Sequence, residues 1–153
     1  MFKHIKKMIA INIAVIFFIS LDRLLKVFAF KNAFKEFNLF GEILKFNYEN
    51  NYNIAFSLPL SGDILIVVIF IILIILIFFT SRFIKMQEYN KGTGLFLIIL
   101  GASSNLYDRI KYGFVIDYLD LKYFTVFNLA DIMIVVGIIF FLLISINEKS
   151  YVK

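Results

Sequence analysis

Residues Ile64–Phe79 constrain the chain more than any other stretch: sixteen consecutive aliphatic or aromatic residues, none able to form a side-chain hydrogen bond. A helix of that composition is about the length needed to cross the hydrocarbon core of a bilayer. A soluble protein would have to bury it on every side. The chain has only 153 residues, of which 61% are hydrophobic and 20 are phenylalanine, and the core of so small a domain cannot hide that much apolar surface. The class is therefore integral membrane, in a single domain.

Other apolar runs flank this one. Met8–Leu21 follows a cationic tail holding Lys3, Lys6 and Lys7, as in a signal peptide, but no small-x-small cleavage site follows it. The apolar pattern continues through Asp22, Arg23 and Lys26 to Phe28, which predicts a retained first helix. Residues 92–109 and 128–146 give two more spans, with the second at 60–80. Extramembrane segments are expected at 29–59 and 110–127. Leading into the first of these, Val27, Phe30, Phe34 and Phe37 recur at helical spacing, predicting a short interfacial helix. Leu44–Glu49 alternates apolar and polar residues, the period of a strand, and Asn50-Asn51 supplies turn chemistry. Pro59 and Gly62 close the segment. The expected architecture is an all-α integral membrane protein of four transmembrane helices, with a small extracytoplasmic β-sheet resting on the membrane surface and a short interfacial helix.

Four spans place both termini on one side. Lysines and arginines divide evenly between the two sides, but the cationic N-terminus ahead of the first span favours cytoplasmic termini. A net charge of +5 on such a chain suits anionic headgroups rather than nucleic acid. With no cysteine, disulfides, thiolate metal sites and cysteine nucleophiles are excluded. The one histidine, His4, lies in the solvated N-terminal tail.

The candidates for chemistry lie within Gly101–Asp131, where Asp108, Asp117, Asp120 and Asp131 crowd between two apolar runs. A carboxylate beside a bilayer is costly unless it is paired, solvated or used. Asn128-Leu129-Ala130-Asp131 is close to a capping box, so Asp131 alone is explained as well by helix capping as by catalysis. Asp117 alone could be an exposed loop acid. Together they sit at the two ends of a short connection that folds back on itself. Two carboxylates held close cannot both ionise cheaply, so one keeps a proton while the other acts as a base. Such a dyad activates water and protonates a leaving amine, which is aspartic-peptidase chemistry. Asp22 and Lys26, four apart, share a helix face and can pair.

Three ordered blocks sharpen this reading. They are Asn105-Leu106-Tyr107-Asp108-Arg109, then Gly113-Phe114-Val115-Ile116-Asp117-Tyr118-Leu119-Asp120, then Phe127-Asn128-Leu129-Ala130-Asp131. They resemble the GNxxDR, VVDF-like and FNxAD blocks of the lipoprotein signal peptidases (signal peptidase II), and Asp22…Lys26 and Asn51…Ala55-Phe56-Ser57 match two further family segments. The resemblance covers nearly the whole chain. It implies a bacterial inner-membrane aspartic endopeptidase that removes the signal peptide of a diacylglyceryl-modified prolipoprotein, cutting before the lipidated cysteine. It further implies Asp117 and Asp131 as the catalytic pair, with Asn51, Asn105, Arg109 and Asn128 lining the site and Asp22 and Lys26 supporting it. Asp108 is expected to be structural and Asp120 a surface acid. No cofactor and no metal ion are implied; the expected partners are the prolipoprotein and membrane lipids, with the protein a monomer. Asn53, Ile54 and Ser104 stand where the family carries glycine, a small residue and glycine.

Two alternatives compete. A small channel or transporter subunit would place its acids toward a pore at mid-bilayer, whereas these spans are nearly free of charge between their ends. A structural or assembly protein would use Asp131 as a cap and leave Asp117 solvated.

Overall fold

The computed structural model describes residues 2–33, 35–52 and 62–150, and the side chains of all of these except 2–10, 12 and 148–150. Its helices are α1 (Phe2–Lys31), α2 (Gly62–Lys85), α3 (Tyr89–Tyr112) and α4 (Leu129–Ser150), and its strands are β1 (Phe37–Phe40), β2 (Leu44–Asn51), β3 (Val115–Leu121) and β4 (Val126–Phe127). Both α2 and α4 are long and apolar enough to cross a membrane. Only Leu65, Leu73 and Thr80 of α2 are buried, with Ile66, Ile69 and Leu76 packed beside them, and most of its remaining aliphatic surface faces outward. That inversion suits lipid as the solvent, since lipid tails are as apolar as leucine.

The separate interfacial helix expected after the first apolar run is absent among the described residues. Val27 and Phe30 belong to α1, and Phe37 opens β1; Phe34 lies outside the described residues. Asn32 ends the helix: its backbone N–H donates to the carbonyls of Phe28 and Ala29, and its side-chain amide donates to Phe28 again at 2.9 Å. The aromatic stripe is real, but a stop signal interrupts it.

The strands form one antiparallel sheet in the order β1-β2-β3-β4. The predicted strand at Leu44–Glu49 is present, and it runs on through Asn50 and Asn51 rather than turning there. Those two residues pair with Ile116 and Val115 of β3, a strand within what the sequence suggests is only a connecting segment. An irregularity between Phe46 and Glu49 adds one residue to β2 relative to β3, a bulge that re-aims the strand's end. Alternation along β3 then separates two jobs. Ile116 and Tyr118 enter a buried cluster with Ala29 of α1 and Phe46 of β2, while Asp117 between them turns to Asn51 and Asn128. The segment expected to resemble the family around Asn53, Ile54, Ala55-Phe56-Ser57 and Pro59 lies outside the described residues.

Helices α3 and α4 meet backbone to backbone. A Cβ added at Gly101 would lie 2.5 Å from the Ala130 carbonyl oxygen, and one at Gly137 would lie 2.7 Å from that of Gly94. The two contacts are two helical turns apart on each helix, the small-residue pattern by which membrane helices approach closely. Helix α3 then stops at Gly113, whose φ of 82° is left-handed and whose N–H donates to Arg109 at 2.9 Å.

Gly101→Ala should therefore lower Tm and disturb the start of α4, because the obstacle is backbone and cannot move aside. Gly92→Ala, whose added Cβ would meet the Ile84 side chain at 3.4 Å and the Thr80 carbonyl oxygen at 4.0 Å, both ordinary contact distances, should be tolerated. Thermal unfolding of the two variants in one detergent checks the pair.

Candidate active site

The site is assembled where α4 begins. Asn128 lies just before the helix and is fully buried. Its side-chain oxygen accepts the Asp131 N–H at 3.0 Å, and its own N–H donates to Asp131 Oδ2 at 3.1 Å. That reciprocal pair is a capping box with aspartate in the fourth position. The capping reading of Asp131 is thus correct in geometry, and it leaves Asp131 Oδ1 to accept from the Asn105 amide at 2.7 Å. The Asn128 amide, meanwhile, donates to Asp117 Oδ1 at 2.6 Å. One asparagine therefore holds both carboxylates. Asp117 is only 2% exposed, so it is not a solvated loop acid. Its other oxygen accepts from Asn51 Nδ2 at 2.9 Å.

Beneath the two carboxylates lies a second buried layer. Lys26 is wholly enclosed between Asp22 at 3.4 Å and Asp108 at 2.8 Å, and its third donor reaches Asn105 Oδ1 at 2.7 Å. Asp108 also pairs with Arg23 at 2.6 Å. Asp22 Oδ2 accepts from the Ser104 hydroxyl at 2.6 Å, and its Oδ1 accepts from the Tyr118 hydroxyl and the Ala130 N–H. Formal charges in this layer cancel: two acids against Lys26 and Arg23. Cancellation matters here, because an unpaired buried charge is expensive while a fully bonded set is tolerated.

All eight residues singled out from the sequence fall in or beside this constellation. Asp22, Lys26, Asn51, Asn105, Asp117, Asn128 and Asp131 are joined by the bonds above. Arg109, partly buried, feels the charges of Asp131, Asp117 and Asp108. Asp108 ties Arg23 and Lys26 together, and Asp120 lies outside, paired in register with Lys45. Three contributors were not singled out as such: Arg23, Ser104 and Tyr118. Each is the immediate neighbour of a residue that was, which is the only signal the sequence offers. Ser104, noted as a departure from the family's glycine, uses its hydroxyl to satisfy Asp22. Among the described residues, no three His, Cys, Asp or Glu side chains come together as a metal site.

Burial, and after it the charge of Asp131, pushes the Asp117 carboxyl up from 3.8 to about 7, with the Asn51 and Asn128 amides pulling the other way. Burial and the Asp22 charge hold the Tyr118 phenol far above its ordinary range. Tyr118 is therefore a permanent neutral donor to Asp22, while its oxygen accepts the Leu129 N–H at 3.0 Å. Two close carboxylates, one of them protonated near neutrality, can give and take a proton in one step.

Residues 13–147 match a family model described as signal peptidase (SPase) II. A protein of Clostridium novyi (strain NT) described as a lipoprotein signal peptidase is 31% identical over 148 residues, spanning 88% of this chain and 95% of its own. One of Clostridium tetani (strain Massachusetts / E88) with the same description is 30% identical over 146 residues, 91% of this chain and 94% of its own. A solved structure described as a bacterial membrane enzyme superposes with a TM-score of 0.78 at 25% identity, covering 94% of this chain and 92% of that one.

Two outcomes test the site. Lys26→Met should leave Asp22 and Asp108 buried without their shared cation, at a cost of about 3–5 kcal/mol, read as a loss of Tm. Asp117→Asn tests the raised carboxyl. An acid whose folded pKa lies above its unfolded one binds more protons when folded, so wild-type stability falls as pH rises between 3.8 and about 7. The variant lacks that loss. Its Tm relative to wild type should climb across this window and level off above it, by the equivalent of a few kcal/mol at most.

Proposed function

The chain belongs to the signal peptidase II family, and we propose that it is a membrane-embedded aspartic endopeptidase acting on diacylglyceryl-modified prolipoproteins. The bond cut is the one before the lipidated cysteine, and the dyad is Asp117 with Asp131. The observation that carries this reading is Asn128, which bonds Asp117 through its amide and Asp131 through its backbone. A capping residue needs only the second of these. The first supports a second job, fixing two acids relative to each other.

The mechanism follows from the proton count. Two carboxylates beside one guanidinium, Arg109, are neutral overall when they share a single proton. Asp117, with its carboxyl raised to about 7, holds that proton in the resting enzyme. Asp131 acts as the base: two donors and the positive end of the α4 dipole favour its anion against the cost of burial. Asp131 takes a proton from water as the oxygen attacks the scissile carbonyl carbon. Asp117 gives its proton to the carbonyl oxygen. Collapse of the tetrahedral intermediate breaks the C–N bond: one of its two hydroxyls returns a proton to Asp117 as the new carboxyl group forms, and the proton held by Asp131 passes to the departing cysteine amine, which restores the resting dyad. Arg109 and Asn51 stand at the edge of the dyad, where a five-donor fork and an amide suit substrate carbonyls.

For the setting, we read α1 and α3 as membrane spans alongside α2 and α4. Both termini are cytoplasmic and the sheet is on the outer side of the bacterial inner membrane, with a monomer as the working unit. The three lysines ahead of the first apolar run support this orientation. The nearly charge-free middles of the helices disfavour a pore.

Purified protein in lipid should cleave a diacylglyceryl-modified prolipoprotein in the presence of chelator. Asp117→Asn and Asp131→Asn should each lose roughly 10²–10⁴-fold in rate while remaining folded by thermal unfolding. Normal cleavage by either well-folded variant would remove that aspartate from the mechanism, leaving Asp131 its cap of about 1 kcal/mol.

A further inference from the structure

The far end of the sheet, away from the carboxylates, carries apolar surface that no described part of the chain covers. Phe37 (39% exposed), Leu39 (52%), Phe40 (71%) and Ile43 (55%) line the β1–β2 hairpin, and Tyr123 (95%) and Phe124 (68%) form the β3–β4 turn. The two tips are fastened side by side. The Lys122 N–H donates to the Ile43 carbonyl at 2.9 Å, and its ammonium pairs with Glu42 at 3.1 Å. Tyr123 has a φ of +70°, in the left-handed region that glycine or asparagine would enter with less strain. The chain puts an aromatic ring there instead, almost fully exposed.

We propose that the two hairpin tips insert together into the bilayer interface and anchor the sheet to the membrane. The proposal rests on the membrane reading above and adds a defined contact to it. Three observations favour lipid as the occupant. The first is continuity: Phe28, exposed on α1 one turn after the exposed Leu24, packs on Phe37 at 6.1 Å and on Phe46 at 5.5 Å. An apolar strip thus runs unbroken from the flank of a helix read as membrane-spanning onto the hairpin. The second is composition: Tyr123, whose amphipathic ring suits headgroup depth, stands among five wholly apolar side chains, Phe37, Leu39, Phe40, Ile43 and Phe124, that gain by leaving water. The third is charge. Lys45 pairs with Glu36 and Lys122 with Glu42, so the surrounding charges cancel and the anchor is apolar rather than electrostatic. A second copy adding its strand at β1 is disfavoured by the register irregularity between Asn38 and Phe40, which distorts the edge.

The sequence contains no tryptophan, so a single introduced indole reports cleanly. Phe124→Trp and Phe40→Trp probe the two tips, and Phe70→Trp, on the exposed face of α2, probes the membrane helices. Each protein is placed in nanodiscs of zwitterionic phospholipid brominated either near the glycerol or deep in the acyl chain. Both tip probes should show blue-shifted emission, quenched most by the shallow bromines and unchanged at high salt, while Phe70→Trp is quenched by deeper ones. Quenching of Phe70→Trp with tip probes that stay red-shifted and open to acrylamide overturns the anchor and leaves the membrane reading standing. So does a tip shielded from acrylamide but not quenched by lipid, which means a protein neighbour. Tip quenching that needs anionic lipid and vanishes with salt overturns it as well. If none of the three probes is quenched, the membrane reading fails and the anchor with it.

Discussion

Everything in the site depends on how the first turn of α4 disposes of its backbone donors. A helix begins with N–H groups that have no partner within the helix, and here they begin in a buried place. Leu129 donates to the Tyr118 hydroxyl, Ala130 to Asp22, Asp131 to Asn128, and Asn128 itself to Asp131. Those acceptors come from β3, from α1 and from the turn itself. Capping one helix thus draws three separate parts of the chain to one point, and the two carboxylates arrive as part of the capping. The cap of α4 and the site share the same hydrogen bonds.

The layer beneath gives that event its rigidity. Asn105 donates to Asp131 and accepts from Lys26 and from Asn128, so its amide cannot flip without losing all three contacts. Lys26 in turn is held by two acids. The glycine contacts between α3 and α4 fix the spacing from the other direction, since Ala130, against which Gly101 packs, directly precedes Asp131. A bulkier residue at 101 would push on the same turn that carries the carboxylate. Packing and polar bonding agree on one position for it.

Much of this was legible in the sequence, for identifiable reasons. The apolar runs betray α2 and α4 because crossing a membrane imposes a length and a composition that both helices meet. Asp22 and Lys26 are readable as neighbours because helical spacing alone brings them together, and Asn128 with Asp131 because capping is local. β3 was missed because its evidence is not local: Val115–Leu121 becomes a strand by pairing with β2, with two long helices between them in the chain. Tyr118 and Ser104 were missed as contributors for the same reason. A tyrosine beside a buried aspartate reads as core until its hydroxyl is seen between Asp22 and Leu129. The interfacial helix was expected from periodicity alone, and a single asparagine with a doubled hydrogen bond to Phe28 was enough to stop it.

The order in which the chain is synthesised gives the β2–β3 pairing a temporal meaning. Asn51 leaves the ribosome 66 residues before its partner Asp117, and Asp22 leaves 108 residues before the Ala130 amide it receives. Until α3 and α4 arrive, Lys26 has only its own neighbour Asp22 for company and no reason to leave water, since an ill-matched charge is not welcome in hydrocarbon. The constellation has no half-finished form: its earliest members, Asp22 and Lys26, are part of it only once the chain has been made as far as residue 131. The long-range topology thus acts as a clock, completing the constellation only when its last contributor has been made.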